Sequence, residues 1–318
     1  MELVEKKPVL ALRKAFWKNY GSLFGLVGIC LILTLLSDRF MTVPNLVNIA
    51  RQVSINAIIA VGMTLVIITG GIDLSVGSLV ALSGCVAIMA MELPGADFTG
   101  IVLGLAVAAG AGLFSGVLVA YGMIPPFITT LAMLTIARGT ALVITAGQPL
   151  VRFDSPYRVL GESNLGPVPV PILIMGMVLL LAHFILKHTP LGSCIYATGG
   201  NEEAARLSGI RVSRIKTLVY ALSGFCAGIS GLVLAARLGS AQPNTGTGFE
   251  LDAIAAVVLG GTSLMGGRGS IGGTLIGALI IGVLNNGFNL LNVSPYYQLI
   301  AKGSVIILAV LLDQFLRR

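Results

Sequence analysis

Six polar residues stand inside or beside long apolar runs: Asn56, Asp73, Thr130, Asn285, Asn286 and Asn289. Amides and hydroxyls both donate and accept hydrogen bonds. Arg51, Gln52, Thr129, Arg138 and Lys302 have similar surroundings. Polar groups at membrane depth are expensive and face a cavity or a partner. As a set they read as a polar pathway for a hydroxyl-rich solute. Taken singly, each also fits a helix–helix hydrogen bond, and Arg51 and Lys302 fit snorkelling to the interface. Asn285 and Asn289 lie one helical turn apart and share a face. No pair of carboxylates is spaced as a proton relay.

Other chemistries find little support. Cys30, Cys85, Cys194 and Cys226 are scattered without metal-ligand spacing, and read as free thiols. His183 and His188 have no nearby Cys or acidic partner, so no metal site is expected. Gly266 to Gly273 contains G-x-G-x-x-G. A dinucleotide site would need a strand before it and a βαβ unit around it, whereas its flanks are apolar spans. There is no Walker A pattern, so the chain is not expected to hold ATP in a P-loop.

The elements that must position these groups follow from composition. Of 318 residues, 56% are hydrophobic and 10% are charged. Soluble domains carry roughly 25% charged residues, so this is a membrane protein. The formal net charge of +7 does not indicate nucleic acid, because the basic residues cluster at the ends of apolar runs. Spans of about 20 apolar residues cross a bilayer. On that basis the chain reads as an all-α, polytopic protein of about ten spans: 21–37, 45–69, 74–91, 100–121, 126–146, 171–187, 214–236, 252–265, 270–289 and 297–314. One transmembrane domain covers 1–318, with an N-terminal segment at 1–20 and a charged loop at 188–213. Placing both termini in the cytoplasm puts Lys6, Lys7, Arg13, Lys14, Lys18, Lys187, Arg206, Arg211, Arg214, Lys216, Arg268, Arg317 and Arg318 inside. The outside then holds Arg39, Arg152, Arg158 and Arg237, offset by acids such as Asp38, Asp97 and Glu162. That is the bias that sets orientation.

Three further features are local. The proline-rich segment from Gly147 to Pro171 should form an irregular or short-helical lid rather than a strand pair. Gly104, Gly110, Gly112 and Gly116, and again Gly273, Gly277 and Gly282, read as helix-packing surfaces. An ungapped echo aligns Asn56–Leu79 with Asp252–Leu275 and superposes the pair Gly70-Gly71 on Gly266-Gly267. Chance in an Ala/Gly-rich chain and a duplicated half are both open. Each Gly pair is expected to make a sharp hairpin at the cytoplasmic face.

The segment "GGNEEAARLSGIRVSRIK", Gly199 to Lys216, is out of character with the apolar chain. Asn201 is a good N-cap, Glu202 and Glu203 fall where the helix dipole favours acids, and Gly209 ends the helix. A helix of about two turns, through Ala204, Ala205, Arg206, Leu207 and Ser208, is expected to expose Glu203, Ala204, Ala205 and Arg206.

Glu203-Ala204-Ala205 with Gly209 resembles the EAA-x-x-x-G loop of ABC importer permeases. The downstream proline usual in that loop is missing, which indicates a divergent branch. "GGIDLSVGS", "PPFITTLAMLTIARG", "NEEAARLSGI", "LDAIAAVVLGGTSLMGGRGS" and "NNGFNLLNVSPYYQLIAKG" are together similar to the monosaccharide permeases of the ribose type, from about residue 45 to 310. The resemblance implies a translocation subunit of an ATP-driven sugar importer, not an enzyme, in the bacterial inner membrane. It implies a homodimer that works with a cytoplasmic ABC ATPase and an extracytoplasmic sugar-binding protein. Residues Asn201 to Gly209 would be the helix that couples to the ATPase. ATP and magnesium would sit on the ATPase, and no cofactor is expected here. The sugar is ribose or a relative. Alternatives are a branched-chain amino-acid or nucleoside permease of the same superfamily, a stand-alone secondary carrier, and a membrane scaffold.

Overall fold

The structure is a computed structural model that describes residues 6–92, 95–152 and 156–317. Of the expected N-terminal segment, residues 1–5 lie outside the described residues, as does Arg318. The chain is almost wholly helical. In order, the helices are α1 (Lys6–Leu36), α2 (Val43–Ile68), α3 (Val76–Ala90), α4 (Asp97–Ala120), α5 (Pro126–Ile144), α6 (Val159–Glu162) and α7 (Val170–His188). They continue with α8 (Pro190–Gly200), α9 (Glu202–Leu207), α10 (Val212–Leu238), α11 (Phe249–Leu259), α12 (Ile271–Leu290) and α13 (Pro295–Arg317).

Six of these, α2, α4, α5, α7, α10 and α12, are long and apolar enough to cross a membrane. The expected all-α membrane architecture is therefore present, while six rather than ten such helices are found among the described residues. Where spans of 74–91 and 252–265 were expected, the helices are shorter. At 1.5 Å per residue, α3 is about 22 Å long and α11 about 16 Å, both less than a ~30 Å hydrocarbon core. The remaining depth is covered by irregular backbone, residues 69–75 before α3 and 242–248 before α11. Such backbone is tolerated at membrane depth only inside protein. The second stretch lies against the first turn of α3: Gly77 and Gly246 meet backbone to backbone, so a Cβ on either would overlap the other's carbonyl oxygen. The first is covered by α5, from which Thr130 donates to the Ile72 carbonyl.

The interior is organised on α2. Within its apolar window 89% of residues are buried, against 22% for α7, although α7 is no less apolar. Helix α12 runs antiparallel to α2 and is pinned to it near both ends. Asn45 and Asn286 exchange amide hydrogen bonds of 3.1 and 2.8 Å, and Thr64 and Thr274 hydroxyls meet at 2.7 Å. Gly282 packs on Val53 between them. On the other side α10 closes on α4, where Gly112 and Gly116 lie against the backbone of Tyr220 and Thr217. Gly104, Gly273 and Gly277 also sit at close contacts. Gly110 does not: nothing approaches its Cβ position within 4 Å, so the packing role expected for it is withdrawn.

The proline-rich lid departs from expectation in one respect. It contains α6 after a short 3-10 turn at Pro156–Arg158, and the Tyr157 hydroxyl anchors it to the Leu232 carbonyl of α10. It also contains strands. β1 (Leu150–Val151) pairs with β4 (Ser240–Ala241), and β2 (Asn164–Leu165) pairs with β3 (Val168–Pro169). Two-residue ladders need few donors, so prolines at their edges are tolerated.

Candidate coupling site

The charged segment folds as two helices, of which the sequence indicated only the second. Helix α8 opens with Thr189 as N-cap and Pro190 in the first turn, and buries Ile195 and Thr198. Its chain end, Gly199-Gly200, then bends into α9. Asn201 caps α9 as expected, its Oδ1 accepting from the Ala204 amide at 2.9 Å with extended backbone at φ −159°. Glu202 and Glu203 occupy the first turn. At the far end Gly209 takes φ 86°, and the Ile210 amide returns to the Ala205 carbonyl at 3.1 Å. A left-handed residue just past a helix is the usual stop, and glycine adopts it without strain.

Two salt bridges fix α9. Glu202 accepts from Arg206 at 3.0 Å within the helix and from Lys216 of α10 at 2.6 Å. Ala205 is 4% exposed, so its expected place on the outer face is wrong. It lies one turn from Glu202 on the same face, and Glu202 is the residue bonded to Lys216 of α10. The outer face carries Glu203, Ala204, Arg206, Leu207 and Ser208, and Leu207 is 85% exposed.

The base of this platform meets both echoed hairpins. Gly199 lies so close to the end of α2 that a Cβ would overlap the Ile68 carbonyl oxygen. The same oxygen accepts from the Gly267 amide at 2.8 Å. A Cβ on Gly266 would come within 2.7 Å of the Gly199 oxygen, and Gly266 and Gly267 have φ of 85° and 71°. The Tyr196 hydroxyl of α8 donates to the Gly269 carbonyl at 2.8 Å, and burial pushes that hydroxyl's pKa up, so it stays a donor. The ends of α2 and α8 and the turn before α12 thus meet in direct backbone contacts, braced by the Tyr196 side chain. Sequence reasoning found each Gly pair as a turn, but not that Gly199 meets the others.

The six pathway candidates do not gather in one place. Asp73 is buried at the α2–α3 turn and accepts from the Ser75 amide and hydroxyl at 3.0 and 2.6 Å and from Ser223 at 2.7 Å. Thr130 donates to the Ile72 carbonyl of that turn at 3.2 Å. Asn56 and Asn286 are buried with α2, Asn286 against Asn45. Asn285 and Asn289 face different helices, α11 and α13. Asn285 donates toward Asp252 at 3.5 Å, and Asn289 accepts from Gln298 at 3.1 Å. Asp252, missed by the sequence reading, accepts from Lys302 at 3.0 Å.

Comparison with known proteins defines the class. Residues 45–310 match the family described as branched-chain amino acid transport system / permease component. The chain belongs to this permease family and is a multi-pass membrane protein. It is 53% identical to the ribose import permease protein RbsC of Escherichia coli (strain K12), over 94% of this chain and 95% of that one. It is 48% identical to the ribose import permease protein RbsC of Bacillus subtilis (strain 168), over 93% of each. The D-allose transport system permease protein AlsC of Escherichia coli (strain K12) is 41% identical over 100% of this chain and 97% of its own. These matches bear out the resemblance to ribose-type permeases. No solved structure matches the chain.

Proposed function

We propose that this chain is the transmembrane subunit of an ATP-driven importer that carries a monosaccharide, ribose or a near relative, across the inner membrane. The observation that carries the reading is the α8–α9 platform. It holds an exposed leucine and charged residues clear of the apolar spans, and it is tied by backbone contacts to the ends of α2 and α12. A helix in that position can pass a displacement from a partner protein to both echoed halves at once. The names of the relatives, two ribose permeases and one allose permease, support the substrate class.

In this reading ten segments cross or enter the membrane, counting α1, α3, α11 and α13, and both termini and α9 face the cytoplasm. The charge bias supports that orientation. Two copies pair around the pathway, a separate ABC ATPase docks on α9 and binds ATP and magnesium, and a sugar-binding protein delivers solute to the opposite face. This chain itself hydrolyses nothing.

The test is ribose uptake into proteoliposomes loaded with ATP, with ATPase and binding protein each added or withheld. Uptake is expected only when all parts are present. Uptake without the ATPase would replace the reading with a secondary carrier. Leucine uptake in place of ribose would assign the chain to the amino-acid branch that the family description names.

A further inference from the structure

We infer that Asp252, Lys302 and Asn285 form a step inside the membrane at which a neutral, polyhydroxylated solute is bound during passage. This rests on the importer reading above and names the residues that would act in it. The first observation is depth. At 1.5 Å per residue, Lys302 lies about 10 Å along α13 from Pro295, and Asn285 about 8 Å back along α12 from Leu290. Asn285 therefore lies inside an apolar span rather than at its end, and Asp252 and Lys302 are bonded beside it. Lys302 does not snorkel outward, because its ammonium turns inward to the Asp252 carboxylate.

The second observation is access. The Asp252 side chain is 5% exposed and that of Lys302 is 26% exposed, so the pair is reached through Lys302 rather than sealed. A charge open to lipid at this depth would be costly, and a water-filled path removes that cost. The third is an unused acceptor. Asn285 Oδ1 is buried and has no hydrogen-bond partner among the described residues. Asn285 and Lys302 share Asp252 as partner, so when the covering side chains part, a solute at this place meets both a free acceptor and an ammonium donor.

The fourth is charge balance. The first turn of α11 holds a second acid, Glu250, within electrostatic reach of Arg138 on α5. The Arg138 guanidinium is itself fixed by the Pro243 and Thr245 carbonyls at 2.5 and 2.7 Å. Two acids and two cations make a polar layer without net charge. Such a layer offers hydrogen bonds to a sugar and no net attraction to an ion of either sign.

The experiment uses the complete transporter in ATP-loaded proteoliposomes, with ribose as probe. Lys302→Met and Asp252→Asn are each expected to lower uptake about tenfold, the effect of losing one hydrogen bond to a charged group. The double variant Asp252→Asn/Lys302→Met is neutral and should melt like the wild type, yet stay about tenfold slower. Recovery of the double variant to within about twofold of wild type would show the pair to be structural and overturn the proposal. Should the double variant fail to fold, Asn285→Ala, which changes no charge, decides. It should lower the maximal rate about fivefold and raise the ATP hydrolysed per sugar moved, and an unchanged rate would overturn the proposal. If the wild type moves no sugar in response to ATP, the importer reading fails and this step falls with it. If the wild type transports and Asn285→Ala is normal, only the step is rejected.

Discussion

The stretches Asn56–Leu79 and Asp252–Leu275 share a sequence pattern and fold with opposite proportions. In the first, the 26-residue α2 enters the Gly-pair turn and the 15-residue α3 leaves it. In the second, the 11-residue α11 enters and the 20-residue α12 leaves. The turns agree only at the first glycine: Gly70 and Gly266 take φ of 82° and 85°, but Gly267 has φ 71° whereas Gly71 is not left-handed, and the two turns touch through Ile68 and Gly267. The aligned polar residues do not agree. Asn56 is neutral and 9% exposed within the long helix, whereas Asp252 is charged and paired to a lysine near the start of the short one. The comparison separates two features. The turns meet backbone to backbone, and at the aligned position only the second copy carries an ion-paired acid.

The largest expected effect tests the backbone contact. Gly199→Ala forces a Cβ onto the Ile68 carbonyl and should destabilise the purified protein by about 3 kcal/mol, the upper end of overpacking. Uptake should fall with it. Gly200, one residue on, has open space at its Cβ position. Thermal melting of Gly199→Ala beside Gly200→Ala checks this, and equal losses would remove that contact from the account.

Next come the aligned polar residues. Asp252→Leu leaves Lys302 without its anion. A fully buried broken pair costs roughly 3–5 kcal/mol, and the partial exposure of Lys302 reduces this to about 2 kcal/mol. Asn56→Leu removes a neutral amide and should cost about 1 kcal/mol. Chemical denaturation of both variants compares the copies directly, and a larger loss at Asn56 would reverse the distinction between them. The smallest effect is at the platform surface. Glu202→Gln weakens the ties to Arg206 and Lys216, and should cost about 0.5 kcal/mol because the group is half-exposed. Its larger consequence is a few-fold weaker ATPase association, measurable by titration.

What was legible in the sequence was local. Asn201, the acids after it and Gly209 specify α9 through contacts within a few residues, and the structure follows them. Ala205 was misread because the face it shares with Glu202 meets Lys216, eleven positions from Ala205 and on another helix. Helix α8 was passed over because it is short and ends in two glycines. The short lengths of α3 and α11 were hidden because apolar composition continues through the irregular backbone next to them, so hydropathy records depth in the membrane rather than helix. Adjacent Asn285 and Asn286 looked equivalent as polar intrusions. One faces Asp252 and the other Asn45, a division that follows from where α2 and α11 pack on α12.

The central claim is that α9 is the contact through which a partner drives both halves. Leu207→Cys places a thiol at its most exposed large side chain, outside the bonds that hold α9. Short-linker cross-linking of this variant in the assembled, transport-active complex should capture the ATPase, with a yield that differs between nucleotide-free and ATP-bound states. A complex that transports ribose normally yet gives no cross-link to the ATPase from position 207 in either state would contradict it.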